Sequence, residues 1–275
     1  MRYLDKTARV CLALITVVVL AGIFAPWLAP NSPIEADILN KYAAPSREFP
    51  LGADHLGRCI LSRLIYGIRP TILLSLLTMA ATVGLGALIG LSSGYFRGWY
   101  DEVVMRICDV MLSFPSQVMI LAVVGMLGVG MENVIIANIV IKWSWYARMI
   151  RGSVIRHLDK NYLTFARITG SSGSFIIGRH LLPVMAAEII ILASLDTGWV
   201  ILNISTLSFL GLGVQAPTPE WGAMLSVGRE VLRSHPWQML PPGLAILLMV
   251  AAFNLLGDSV RDAIAPKENT GERLA

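Results

Sequence analysis

Three stretches of this 275-residue chain, 10–29, 71–94 and 110–131, run for about 20 residues without one charged side chain. A bilayer core about 30 Å thick needs roughly 20 apolar residues per helix, and inside it each backbone N–H and C=O must find its partner within the segment. Such runs can cross a membrane only as helices. With 55% hydrophobic and 15% charged residues the chain is also too apolar for an ordinary soluble domain. The predicted class is therefore all-α, a polytopic membrane protein. Three weaker runs bring the expected count to six: 183–204 contains Glu188 and Asp196, 240–257 is short, and 133–147 is short and contains Lys142.

Orientation is read from Lys and Arg. With the N-terminus inside, the inner set is Arg2, Lys6, Arg9, Arg97, Arg106, Lys142, Arg148, Arg151, Arg156, Lys160, Arg167, Arg179, Arg261, Lys267 and Arg273. The outer set is Lys41, Arg47, Arg58, Arg63, Arg69, Arg229 and Arg233, so the tally is fifteen against seven of the 22 in the chain. An excess of Lys and Arg marks the cytoplasmic side, which places both termini and the 148–180 loop there. The pI near 9.1 then reports topology and no nucleic-acid partner. The first run also resembles a signal peptide, with Arg2, Lys6 and Arg9 before an apolar core. Pro26 and Trp27 stand where small cleavage-site residues belong, which favours a retained span.

Four regions follow: 1–29, a cytoplasmic N-terminus and first span; 30–70, an outer loop; 71–265, the membrane core; and 266–275, a polar tail expected to be disordered. In the outer loop Ile60, Leu64, Ile65 and Ile68 recur at helical spacing, which predicts an amphipathic helix on the outer interface. A second stripe over 221–235 contains Trp221, Met224, Leu225, Gly228, Val231, Leu232 and His235. Two stripes on one side suggest a lid, with Trp221, Met224 and Leu225 as outer gate candidates. Gly86, Gly90 and Gly94 form overlapping GxxxG spacings that let another helix approach closely. Cys11, Cys59 and Cys108 are too scattered for a disulfide framework or a metal site. His55, His157, His180 and His235 make no ligand pair either.

The polar segment 162–183, YLTFARITGSSGSFIIGRHLLP, interrupts two apolar runs. Residues 162–169 can form two helical turns, Gly170 can end them in the left-handed conformation, and Ser171 or Ser172 can cap a second short helix. Pro183 suits the first position of the next span. The string Gly170-Ser171-Ser172-Gly173 spells GxSG, but it lies in a basic loop with no histidine in any apolar run to serve as a base.

This segment resembles the coupling loop of binding-protein-dependent ABC importer permeases, whose pattern is Glu-Ala-Ala, three residues, Gly, nine residues, Ile, one residue, Leu-Pro. Gly170, Leu182 and Pro183 match; Thr164, Phe165 and Ala166 occupy the Glu-Ala-Ala positions, and His180 the Ile position. Further blocks at 51–71, 142–154, 207–225 and 253–266 are similar to the dipeptide/oligopeptide/nickel branch, second-subunit type. Cys59 stands where that branch commonly has Asp. The resemblance implies a type I importer fold and an ATPase-coupling loop of Thr164, Phe165, Ala166, Gly170, Arg179, His180, Leu182 and Pro183. It also implies several partners: a homologous permease subunit, two cytoplasmic ABC ATPase subunits, an extracytoplasmic solute-binding protein and membrane lipids. No GxxxxGK[ST] loop occurs, so ATP and Mg are expected on the partner ATPases, with no cofactor, catalytic residue or metal ligand in this chain. The implied location is the bacterial inner membrane.

Asp196 lies near the middle of a span, where an ionisable group is either a pathway residue or one half of an internal pair. The phrases SLDTGWVILNISTLSFLGLG and KWSWYARMIRG look more like nickel or metal-chelate permeases than peptide permeases, which tend to be neutral at position 196. A nickel or metal-chelate cargo is the expectation, with a peptide as the alternative. An ion-coupled secondary transporter is the rival from another class, although it would give the coupling loop no purpose.

Overall fold

The computed structural model describes residues 5–264. The 266–275 tail, and with it Arg2, Lys267 and Arg273 of the orientation tally, lies outside the described residues. Those described form helices and connecting loops with no strand.

The first helix, α1 (Lys6–Ile23), starts at Asp5, whose carboxylate accepts the Lys6 amide at 2.6 Å, and a short α2 (Ala25–Leu28) follows with proline in its first turn. The outer helix α3 (Ile60–Ile68) is not a separate interface element. It passes through a π-helical turn at Arg69–Leu73 into α4 (Leu74–Phe96), giving one helix of 37 residues. Pro70, in the first turn of the π segment, lacks an N–H, and the wider turn absorbs that loss without ending the helix. α4 is apolar on both sides: Met79, Val83, Ala87 and Leu91 face inward, while Leu77, Leu85 and Leu88 are exposed as a lipid-facing span requires.

The 110–131 run is not one straight span. α5 (Gly98–Leu112) and α6 (Ser116–Leu127) meet at a 90° bend, because Pro115 supplies no N–H and holds the residue before it out of the helical region. The weak run at 133–147 is the middle of a longer helix, α7 (Met131–His157). Asn133 joins α6 to α7 by donating to the Leu127 and Gly128 carbonyls at 3.1 and 3.0 Å. Two short helices, α8 (Asn161–Ile168) and α9 (Gly173–Ile176), precede α10 (Leu182–Phe209), and α11 (Trp221–Glu230) and α12 (Leu240–Ile264) are the last elements of the described residues. Among the described residues four helices are long and apolar enough to cross a membrane, and the bent α5–α6 pair makes five. Twenty-seven residues make α7 long enough too, at about 40 Å, although its polar face lowers its hydropathy. The six-span count is thus approximate.

Two cores hold the bundle. One joins α4, α6, α7 and α10 through Val83, Val124, Ile141, Ile150 and Ile204; the other joins α1, α3, α11 and α12 through Ile15, Ile60, Trp221 and Met249. The glycine stripe finds its partner in α7: a Cβ on Gly86 would lie 2.5 Å from Tyr146, on Gly90 2.6 Å from the Ala147 carbonyl, and on Gly94 2.9 Å from Val154. Close backbone approach therefore fixes the α4–α7 register.

Candidate functional site

The segment between α7 and α10 is a helix, a turn and a second helix. Gly170 adopts φ +82°, its N–H reaches the Arg167 carbonyl, and the Ser171 N–H reaches Ala166, the two bonds of a Schellman ending for α8. Ser172 then caps α9, its Oγ accepting the Phe175 amide at 3.4 Å. A π-helical turn at Ile177–Leu181 carries α9 into α10 without a gap, so Gly173–Phe209 is one helix of 37 residues.

Burial divides this element into an anchor and a free face. Leu163, Ala166, Ile176 and Leu181 are buried, whereas Phe165, Ile168 and Phe175 are 66%, 79% and 52% exposed. An apolar face this open suits contact with another protein or with lipid. Thr164, Arg179, Leu182 and Pro183 are also exposed, and half-buried His180 packs edge-on to Phe175 and near Tyr162. Two contacts that sequence reasoning missed seat the element under α4. The Arg167 guanidinium lies 5.2 Å from the Tyr95 ring centre, and Gly173 packs against Tyr95 and Phe96.

At the other end of the molecule, the stripe expected over 221–235 is helical only as far as Glu230. Trp221 and Met224 are buried, Leu225 is half-buried, and Leu232 is exposed beyond the helix. Trp221 donates its indole N–H to the Leu64 carbonyl at 2.9 Å, which ties α11 to α3. Glu220, absent from the sequence-based candidates, is fully buried; it accepts from Thr71 at 3.0 Å and from the Ala223 amide at 2.7 Å. Burial pushes its carboxyl above the usual range, and the N–H groups of Gly222 and Ala223 oppose the shift. In the 30–70 segment Asp54 pairs with Arg58 at 2.8 Å and Arg63 at 3.5 Å, and Arg63 also donates to the Pro33 and Pro217 carbonyls. Together these contacts lock the outer loop to α11.

Midway through the bundle Asp196 is one half of an internal pair. Lys142 Nζ lies 3.6 Å from its Oδ2, and the Tyr146 hydroxyl donates to the same oxygen. Lys142 therefore leaves the inner-loop tally: it belongs to the middle of α7, with its ammonium 3.7 Å from the Trp199 ring centre. Glu188 faces Arg156 at 3.8 Å, and the neighbouring α5 and α7 are joined by Asp101–Arg151 and Asp109–Arg148 pairs.

The described residues thus form an all-helical bundle with a helix–turn–helix loop continuous with one span and a pair of opposite charges in mid-helix. Residues 86–270 match the family described as binding-protein-dependent transport system inner membrane component, and residues 4–45 match the N-terminal TM domain of oligopeptide transport permease C. The chain belongs to this ABC importer permease family; it is a multi-pass inner-membrane permease subunit. It is 43% identical to the metal-staphylopine import system permease protein CntC of Staphylococcus aureus over 270 residues, 98% of this chain and 93% of the relative. It is 39% identical to the dipeptide transport system permease protein DppC of Alkalihalophilus pseudofirmus, covering 96% and 86% of the two chains. With the nickel transport system permease protein NikC of Escherichia coli the identity is 36%, covering 94% of each.

Proposed function

We propose that this chain is one half of an importer's translocation pore, carrying a metal chelate or a peptide inward by alternating access. A homologous permease subunit forms the other half, two cytoplasmic ABC ATPases bind ATP and Mg, and an extracytoplasmic solute-binding protein delivers cargo. The observation that carries this reading is the α8–Gly170–α9 element, with an apolar free face on one side and an unbroken helix into α10 on the other. ATP-driven closure of the ATPases presses on Phe165, Ile168 and Phe175, and α10 transmits the movement into the bundle. Thr164, Ala166, Arg179, His180, Leu182 and Pro183 form the rest of the coupling surface. The excess of Lys and Arg on the same side puts both termini and this loop in the cytoplasm.

The relatives that transport nickel or metal-staphylopine support a metal-chelate cargo, and the dipeptide relative supports a peptide. Uptake of radioactive nickel, with and without a chelator and with dipeptide as competitor, tests both. Uptake that requires ATP and responds to the chelator or the dipeptide is expected. Uptake that persists after ATP depletion and collapses with the ion gradient would instead make the chain a secondary transporter.

A further inference from the structure

The charges around Asp54 do not balance. Asp54, Arg58 and Arg63 are 6%, 5% and 6% exposed, so two guanidiniums and one carboxylate share a site largely closed to water. A guanidinium stays charged in a protein, which leaves an excess of one positive charge. Asp54 takes Arg58 Nε and Nη2 at 2.8 Å each and Arg63 Nε at 3.5 Å. Arg63 Nη1 goes to the Pro33 and Pro217 carbonyls at 2.8 and 3.4 Å. Arg58 Nη1 and Arg63 Nη2 have no partner among the described residues. Both side chains line a cavity of about 20 Å3, whose other walls are Asp54, Ile60, Met224, Val227 and Gln238. Such a volume holds one particle about the size of a water and is too small for a polyatomic anion. Ile60 is the first residue of α3, so the partial positive charge of that helix end adds to the guanidiniums. Gln238 spends one amide N–H on the Ala53 carbonyl at 3.3 Å and has a second to offer. Glu230, an acid whose charge reaches neighbouring His55, is exposed to solvent.

We infer that this cavity is a binding site for one monatomic anion, a halide such as chloride, held between Arg58 and Arg63. A water would fill the space and accept the two spare N–H groups, but it leaves the excess charge unanswered in a site of low dielectric. A cation would meet two guanidiniums. The cavity also joins four segments: Arg63 reaches Pro33 in the 30–59 loop from α3, Met224 and Val227 belong to α11, and Gln238 lies in the Pro236–Met239 turn that leads into α12. The anion therefore fastens the outer loop to α11 and to the entry of α12, and its loss loosens that junction.

The test follows amide hydrogen exchange in the purified complete transporter, in sodium chloride, bromide, sulfate and gluconate at equal ionic strength. Chloride and bromide are expected to slow exchange in 51–63 and 221–239 by about threefold or more relative to gluconate. Exchange in 98–127, which packs on α4 and α7, should not change. Sulfate should match gluconate. Arg63→Gln removes the excess charge, and Met224→Glu places a carboxylate in the cavity wall, so both should abolish the halide effect. Met224→Glu should also show the slow exchange already in gluconate. Absence of a halide effect in the parent chain means that the cavity holds water alone and overturns the inference. An equal effect in sulfate, or one retained in either variant, marks a general salt response and overturns it too. If neither variant assembles, anomalous scattering from bromide in crystals of the parent decides: a peak between the two guanidiniums supports the site, and none there refutes it.

Discussion

At the scale of single residues, two positions show how one conformation or one charge decides behaviour. At Gly170, φ +82° sits in open space, with no atom within 4 Å of the place a Cβ would take, so the demand is purely conformational. A β-branched side chain there costs roughly 1–2 kcal/mol, whereas asparagine tolerates the left-handed region. Gly170→Val is expected to cut transport at least tenfold with normal membrane insertion and Gly170→Asn to retain most of it, as measured by uptake and by quantifying the protein in membranes. His55, in the outer loop, is half-buried, and its Nδ1 finds no hydrogen-bond partner. Desolvation lowers its pKa below the ordinary 6.5; Arg58 and Arg63 lower it further, while Asp54 and Glu230 oppose them. The unfolded chain therefore takes up this proton first as pH falls. Stability from the neutral imidazole is complete above 6.5 and is lost as pH falls through the lower folded value. Thermal unfolding in detergent between pH 8 and 5 should show a drop in Tm on acidification that is smaller for His55→Gln.

The elements owe their arrangement to close contacts that a periodicity cannot specify. GxxxG spacing makes α4 legible as a packing helix, but only the fold shows that Gly90 meets the Ala147 backbone of α7. Gly84, on the same helix, has nothing within 4 Å of a Cβ. Gly90→Val should therefore destabilise the bundle by about 1–3 kcal/mol through overpacking, while Gly84→Ala should be neutral or stabilising. Fluorescence-detected melting of the two variants in detergent compares them directly; equal Tm values would contradict the assigned interface. A straight 110–131 span and a free outer helix within 51–71 are the natural expectations from hydropathy, and both fail for related reasons. Hydropathy does not register a 90° bend made by one proline, nor a π turn that lets a helix continue past another.

For the whole molecule, the decisive feature is the 37-residue helix Gly173–Phe209, which runs from the α8–Gly170–α9 element through the bundle. Single cysteines at Phe165 and Ile168 should react readily with a membrane-impermeant maleimide in inverted vesicles when the ATPases are absent. They should be protected several-fold when the ATPases are co-expressed. Equal labelling in both would remove the docking face from the account. The same vesicles report orientation, since labelling only after inversion places this loop in the cytoplasm.

The membrane class, the family and the helix–glycine–helix loop are readable from residues alone, because charge-free runs, glycine spacing and a left-handed turn are local demands of the backbone. Asp196 is readable as a mid-span charge but not as a pair. Its partner Lys142 is 54 positions earlier in the chain, on a helix whose polar residues hide it from hydropathy. The seating of Gly173 on Tyr95, the buried Glu220 cap and the Trp221–Leu64 bond are likewise invisible in one dimension. Each depends on which helix faces which, and helix pairing across a membrane is decided by complementary surfaces brought together in three dimensions, a property that no single segment carries.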